Sequence, residues 1–238
     1  MRVKSKLIMM AGLMAFAINA SAQSSGSTDI DTNGWNCVWA EWNPSTFKVD
    51  QKGADNQSFT GIAAGYSKAF SIMPTSPTFV EVGLGLQYSF YEEEFQEQRS
   101  GYIWSDEYED TWWVTTHRSL DMWSLKVPIN LLYKYDIANS PVSLMPFIGV
   151  NVRYNFIATM HDNTGDNYGK TLEQNLFDSH DMGSSKNTWN HFQFGWNIGV
   201  KARFGKHILA GLSYGNDLSE IAQKTKISTT TISVGFAF

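Results

Sequence analysis

The chain has 238 residues, with 18 Lys and Arg against 23 Asp and Glu, a formal charge of -5 and 14% aromatic residues. The acidic balance excludes a nucleic-acid binder, whose footprint is a basic patch. The single cysteine, Cys37, excludes an internal disulfide.

At the start of the chain, Arg2, Lys4 and Lys6 precede an unbroken apolar run from Leu7 to Ile18, and Ala20-Ser21-Ala22 before Gln23 makes a small-x-small cleavage pattern. This order predicts a secretory signal peptide over residues 1–22 and one domain over residues 23–238. The run is too short for the ~20 apolar residues of a spanning helix. No later run is longer, so a helical membrane bundle is excluded as well. Removing the leader takes away three bases and no acids, which leaves a charge of -8.

Beyond the leader, hydrophobicity has period two, the strand period. Two weaker strands come first, Trp35 to Lys48 and Ser58 to Ile72. Next, Val80, Val82, Leu84, Leu86, Tyr88 and Phe90 alternate with Glu81, Gly83, Gly85, Gln87 and Ser89. Trp123, Leu125, Val127, Ile129, Leu131, Tyr133 and Tyr135 alternate with Ser124, Lys126, Asn130 and Lys134. Ile148, Val150, Val152, Tyr154 and Phe156 alternate with Gly149, Asn151, Arg153 and Asn155. The clearest stretch sets Phe192, Phe194, Trp196, Ile198, Val200, Ala202 and Phe204 against Gln193, Gly195, Asn197, Gly199, Lys201 and Arg203. Ile208, Ala210, Leu212 and Tyr214 then face away from Gly211 and Ser213, and Ile232, Val234, Phe236 and Phe238 oppose Thr231, Ser233 and Gly235. That makes eight strands.

Short turns around Pro74 to Pro77, Ala138 to Pro141 and Gly205-Lys206 separate long loops at Val49–Gln57, Glu92–Thr115, Ala158–Asn187 and Gly215–Lys224. In an up-and-down barrel this puts all short connections at one end, the asymmetry of outer-membrane barrels. A secreted calyx of the lipocalin kind has the same period but an apolar lumen. The polar face here consists of Gly, Asn, Gln, Ser, Lys and Arg, which suits an enclosed centre. Large aromatics fall near both strand ends with aliphatics between, the two girdles of a bilayer-spanning barrel. Only a helix or a closed barrel leaves no unpaired backbone groups in hydrocarbon. The expectation is an all-β, eight-stranded antiparallel up-and-down transmembrane β-barrel in a Gram-negative outer membrane, with short turns in the periplasm. Lys68 breaks the pattern, because it lies among Ile62, Ala64, Tyr66, Phe70 and Ile72 on the lipid side. It either snorkels to the near interface or marks a bulge at Gly65 to Ala69.

The stretch Leu120 to Tyr135, LDMWSLKVPINLLYKY, resembles the L-x-x-P-L-L-x-K-Y strand of the Bacteroidetes outer-membrane β-barrel family, to which PorT-like proteins belong. Pro146 to Val150, Gly195-x-x-x-Gly199, Tyr214 and Ile232 to Phe236 are also similar to it. The resemblance implies outer-membrane lipid as surroundings, Phe238 as the signal read by the barrel-assembly machinery, and a role in secretion of other proteins as an alternative function.

Several residues carry candidate chemistry. Glu41, Glu81, Lys126, Lys134, Asp136, Arg153, Lys201 and Arg203 fall on the inward face, where a salt-bridge network that satisfies buried charge is the leading reading and an ion path the lesser one. Glu81 and Arg203 are expected to pair across the lumen. Glu92 to Asp110 holds eight acids against one base, Arg99. Its carboxylates could ligate calcium or another divalent cation, but the spacing matches no EF-hand loop, which makes this the lesser reading. An exposed binding surface is the better reading, with Glu93, Glu94, Tyr102, Trp104, Asp106, Glu107, Tyr108, Trp112 and Trp113 as its residues. Ala158–Asn187, with its His161-Asp162 and His180-Asp181 pairs, reads as a mobile loop made of turn-forming residues. His117-Arg118-Ser119 resembles the H-x-S arrangement of outer-membrane lipid A deacylases, but no carboxylate is placed at its depth. Cys37 reads as a small packed hydrophobe. The functional expectation is a non-enzymatic structural or surface-interaction protein that needs no cofactor and binds an extracellular ligand or protein through its long loops. Secretion and lipid hydrolysis are the alternatives.

Overall fold

The computed structural model describes residues 34–50, 55–73, 76–102, 109–164, 171–185 and 187–238. The leader and the tip of the longest hairpin, with Trp104, Asp106, Glu107 and Tyr108, lie outside the described residues.

Strands β1 (Gly34–Val49), β2 (Gln57–Ser71), β3 (Thr78–Tyr102), β4 (Glu109–Tyr133), β6 (Val142–Thr164), β8 (Phe192–Phe204), β9 (Ile208–Asp217) and β10 (Thr225–Ala237) pair antiparallel in a closed ring. Two short strands add to it: β5 (Tyr135–Asp136) prolongs β4, and β7 (Thr171–Asn175) lies beside the upper part of β6. The ring closes where Cys37 pairs with Ala237 on one side of β1 and Ser67 on the other. Closure removes every edge within the bilayer. The three short turns share one end, and two of them place Asn139 (φ 57) and Gly205 (φ 61) in the left-handed region that such residues tolerate best.

The alternation resolves as an inside-out arrangement. Leu84 is 56% exposed and Ile148 57%, whereas Glu81 is 3% and Arg153 5% exposed. A soluble β-protein shows the reverse. Lys68 keeps its outward position because both of its ladders run through without a register shift. Its Nζ lies 5.2 Å from the centre of the Phe70 ring, two residues nearer the short-turn rim, as snorkelling requires. One bulge does occur. Trp123 pairs with Ile157 and Ser124 with Asn155, so Phe156 is the extra residue, and both Phe156 and Ile157 turn outward to the upper girdle.

Stagger sets what meets across the lumen. A path from Val38 through Tyr66, Leu84, Val127, Val152, Phe194, Leu218 and Lys226, each register continued, returns to β1 at Lys48, ten residues nearer the long-loop end. Spread over the ring, this offsets each strand by about one and a quarter residues from its neighbour and tilts the strands by about 40°.

Two apolar clusters close the lumen. Trp35, Phe79, Leu132, Met145 and Leu209 fill the short-turn end. Phe47, Phe59, Leu120, Met122, Leu176, Ile221 and Ile227 fill the other. Trp39 also points inward, and a methyl group at Gly65 or Gly85 would overlap its indole, so these glycines are the notch that admits it.

Two expected loops contain paired strand. Glu92–Thr115 continues the β3–β4 ladder to Tyr102↔Glu109. Ala158–Asn187 contains the end of β6, all of β7, and Leu176, which is fully buried in the upper cluster with Trp189 packed beside it. The described part of this segment caps the upper cluster, with Leu176, and Trp189 just beyond the segment, as its apolar anchors.

Candidate functional site

The lumen is the first candidate. Lys201 Nζ donates to Glu81, whose carboxylate also accepts from Ser67 Oγ at 2.8 Å and Asn130 Nδ2 at 3.2 Å. Asn197 Nδ2 donates to Asn130 Oδ1 at 3.0 Å. The expected Glu81–Arg203 pair does not form, and stagger explains why. Three strand-to-strand steps, through β4 and β6, lead from Glu81 to β8, an offset of about four residues, which brings Lys201 and not Arg203 level with it. Arg203 instead lies 5.5 Å over the Trp35 ring. Lys126 pairs with Glu41 at 2.5 Å, and Arg153 pairs with Asp217. Asp217 belongs to a segment whose sequence reads as loop, although the alternation Gly211, Ser213, Gly215 continues to it. Asp136 belongs to the rim, not the lumen: it is mostly exposed and meets Lys134 at 3.2 Å.

The space left over is small. A cavity of about 50 Å³ lies beside Glu41, Glu81 and Lys126, and one of about 30 Å³ beside Arg153 and Asp217. Each holds a few waters at most. With apolar clusters above and below, the lumen is a packed polar core and not an open pore.

The second candidate projects from the long-loop end. The β2–β3 ladder ends at Thr60↔Phe90, yet β3 and β4 remain paired up to Tyr102↔Glu109. β6 and β7 flank β4, so a four-stranded sheet in the order β3-β4-β6-β7 rises above the upper girdle. On its inner face, Arg118 makes two bonds to Asp162, at 2.7 and 3.1 Å, and its guanidinium lies 5.2 Å over Phe95. The bonds to Asp162 keep Arg118 charged, raising its pKa further. Tyr91 donates to Glu93 Oε2 at 2.6 Å, and burial, helped by that bond, pushes its hydroxyl pKa upward. Glu93 is thereby engaged within the sheet, whereas Glu94 and Trp113, the latter 67% exposed, face outward. Tyr102 and Trp112 have described backbone only, within the same ladder.

The outer face of this sheet carries an open pocket of about 750 Å³ that includes Glu92, Glu94, His117, Ser119, Asp121 and His161. Glu94 Oε2 lies 3.5 Å from His117 Nδ1, so a carboxylate does stand at the depth of His117, supplied by neighbouring β3. Ser119 is opposite Glu92 on one side and His161 on the other. Among the described residues no hydrogen bond joins Ser119 to either histidine, and His161 Nε2 is instead 3.8 Å from Asp121 Oδ2. A serine nucleophile requires a base in contact with its hydroxyl. Among the described residues no group of three or more His, Cys, Asp or Glu side chains is arranged to hold a metal ion.

A closed antiparallel ring, apolar outside and charged inside, agrees with the family comparison: the model described as the outer membrane protein beta-barrel domain matches residues 8–238. The chain belongs to this family. An outer membrane β-barrel protein resides in the outer membrane, and the girdled surface of this one fits that setting. Among solved structures it is similar to Ail, the attachment invasion locus protein of Yersinia pestis, crystallised with the heparin analogue sucrose octasulfate (13% identity, 87% of this chain and 99% of that one, TM-score 0.44). It is also similar to Neisserial surface protein A (14% identity, 85% and 97%, TM-score 0.40) and to the outer membrane enzyme PagL (11% identity, 82% and 97%, TM-score 0.35). No curated protein matches the chain.

Proposed function

We propose that this outer membrane β-barrel is a non-enzymatic surface-interaction protein whose projecting sheet engages an extracellular partner. One observation carries the reading: β3 and β4 stay paired for twelve residues beyond the point where β2 leaves them, ending in an acidic and aromatic segment. Order of that kind is not needed to close a barrel, since β8, β9 and β10 manage with ten to thirteen residues. A paired sheet presents side chains at lower entropic cost than a flexible loop of the same length. The packed lumen favours a surface role over transport. The resemblance of Leu120 to Tyr135 to PorT-like strands supports secretion assistance only at the level of the barrel itself. In this reading residues 1–22 are a leader removed on export, and assembly machinery reads the terminal strand.

The test is a shortened variant in which residues 97–114 are replaced by Asn-Gly, a two-residue turn that joins Gln96 to its partner Thr115. Cells displaying this variant are expected to lose adhesion to protein-coated surfaces while the extracted barrel remains heat-modifiable on gels. Full adhesion by the shortened protein contradicts the proposal.

A further inference from the structure

Above the girdle, the outer face of the projecting sheet is polar with one exception. Glu92, Ser119, His161 and Glu173 stand in one row across β3, β4, β6 and β7. Glu94, His117 and Asn163 form the next row, and Gln96 pairs with Thr115 above them. The exception is Trp113, two residues beyond Thr115 on the same face and well exposed, while the alternate residues Val114 and Thr116 are buried. Trp113 lies ten residues up β4 from Trp123 of the girdle, about 33 Å along the strand, so the bilayer interface gives no reason for it.

The surroundings of Trp113 indicate what it meets. A protein-binding hot spot sets its aromatic residue in an apolar patch that sheds water as a unit. Among the described residues of this outer face above the girdle, no second apolar side chain accompanies Trp113. A pyranose ring fits better. Its face of weakly positive C–H bonds stacks on the negative face of an indole, and its edge carries hydroxyls that both donate and accept. Carboxylate, amide, imidazole and hydroxyl groups in adjacent rows answer those hydroxyls, and strand pairing fixes their spacing. The open pocket of about 750 Å³ at Glu94, His117 and Asn163 has the size of a small-molecule site. His117 is four residues from Trp113, about 13 Å along β4, so a ligand that touches both has more than one sugar unit. Charge narrows the class further. Glu92, Glu94, Asp121 and Glu173 lie on this face, and Arg118 at the pocket border is already bonded to Asp162. A sulfated or carboxylated glycan therefore meets like charge.

Resting on the surface-interaction reading, we infer that this outer face binds a short neutral oligosaccharide, with one unit stacked on Trp113 and the rest passing Gln96 and Thr115 into the pocket at Glu94 and His117.

The experiment uses the whole barrel in micelles of a zwitterionic detergent, whose headgroups contain no sugar. Maltotriose, cellotriose and chitotriose are the neutral probes, and sulfated maltotriose is the anionic one. At least one neutral trisaccharide is expected to bind saturably and to receive magnetisation from indole protons in saturation-transfer NMR. Trp113→Ala should weaken that binding about tenfold or more and remove the transfer, while Trp113→Tyr, which keeps an aromatic face, should retain most of the affinity. Heat-modifiable migration of both variants checks that the barrel is intact. Sulfated maltotriose should bind more weakly than its neutral parent, and Glu92→Gln/Glu94→Gln should narrow the gap. Failure of every neutral probe at millimolar concentration, equal binding by Trp113→Ala, or preference for the sulfated probe overturns the inference. If the trisaccharides fail but Trp113→Ala still abolishes adhesion, the partner is a protein, the glycan site is wrong and the surface role stands. Trisaccharide binding through Trp113 beside full adhesion by the protein shortened at 97–114 upholds the site and removes adhesion from the sheet.

Discussion

Glu81 shows how a single buried charge is held. Its carboxylate is almost wholly enclosed, and Lys201, Ser67 and Asn130 together supply its partners. Removing one member of such a pair leaves the other buried and unmatched, at a cost of about 3–5 kcal/mol, whereas replacing both with apolar side chains of similar size is often close to neutral. The variants Glu81→Gln and Lys201→Met should each lower the urea midpoint of tryptophan fluorescence in micelles, and Glu81→Met/Lys201→Met should recover most of the loss. If the double variant is as weak as the sum of the singles, the pair is not the unit that stabilises the lumen. The inward position of these residues is legible from alternation, since Lys201 and Arg203 oppose a run of large apolar residues. Their pairing is not legible: it depends on how far each strand slides past the next, a quantity no single strand encodes.

Strand boundaries divide in the same way. Phe192 to Phe204 and Val80 to Phe90 are readable as strands because one face contacts lipid and the other the lumen, which keeps the period unbroken. Above the upper girdle both faces of the sheet meet water or the cap, alternation fades, and Glu92 to Tyr102 reads as loop although it is paired. The cap is hidden for a related reason, since one leucine and one tryptophan among turn-forming residues carry no period. Leu176 anchors it, with its N–H donating to Ala158 O at 2.9 Å and its carbonyl accepting from Trp189 N at 2.8 Å. Leu→Ala at a buried site costs about 2–5 kcal/mol. Because the cap hangs from the rim, Leu176→Ala should appear as faster amide exchange and protease nicking at residues 171–191, while the barrel's own unfolding transition stays in place. A fall of both together would mean that cap and barrel form one cooperative unit.

Reversed polarity governs the molecule as a whole. Leu84, Ile148, Ile198, Leu212 and Val234 stand on the outside of a closed ring whose centre holds Glu41, Glu81, Lys126, Arg153, Lys201 and Asp217. In water such an object is unstable, because its apolar surface far exceeds the few hundred Å² that monomeric soluble proteins expose in one patch. In a bilayer every spanning backbone group is paired around the ring and the charges remain within it. Composition and period are enough to reach this arrangement. Activity is not legible in them, since lipid sets the residues of a barrel wall whatever the barrel does. Gel migration of membrane-extracted protein with and without boiling tests the arrangement most directly. A closed inside-out barrel should give a compact band when unboiled, which shifts to the 26.8 kDa position of the full-length chain, or just below it after leader removal, only on heating. Identical migration in both lanes, from a protein that stays monodisperse in buffer without detergent, would contradict it.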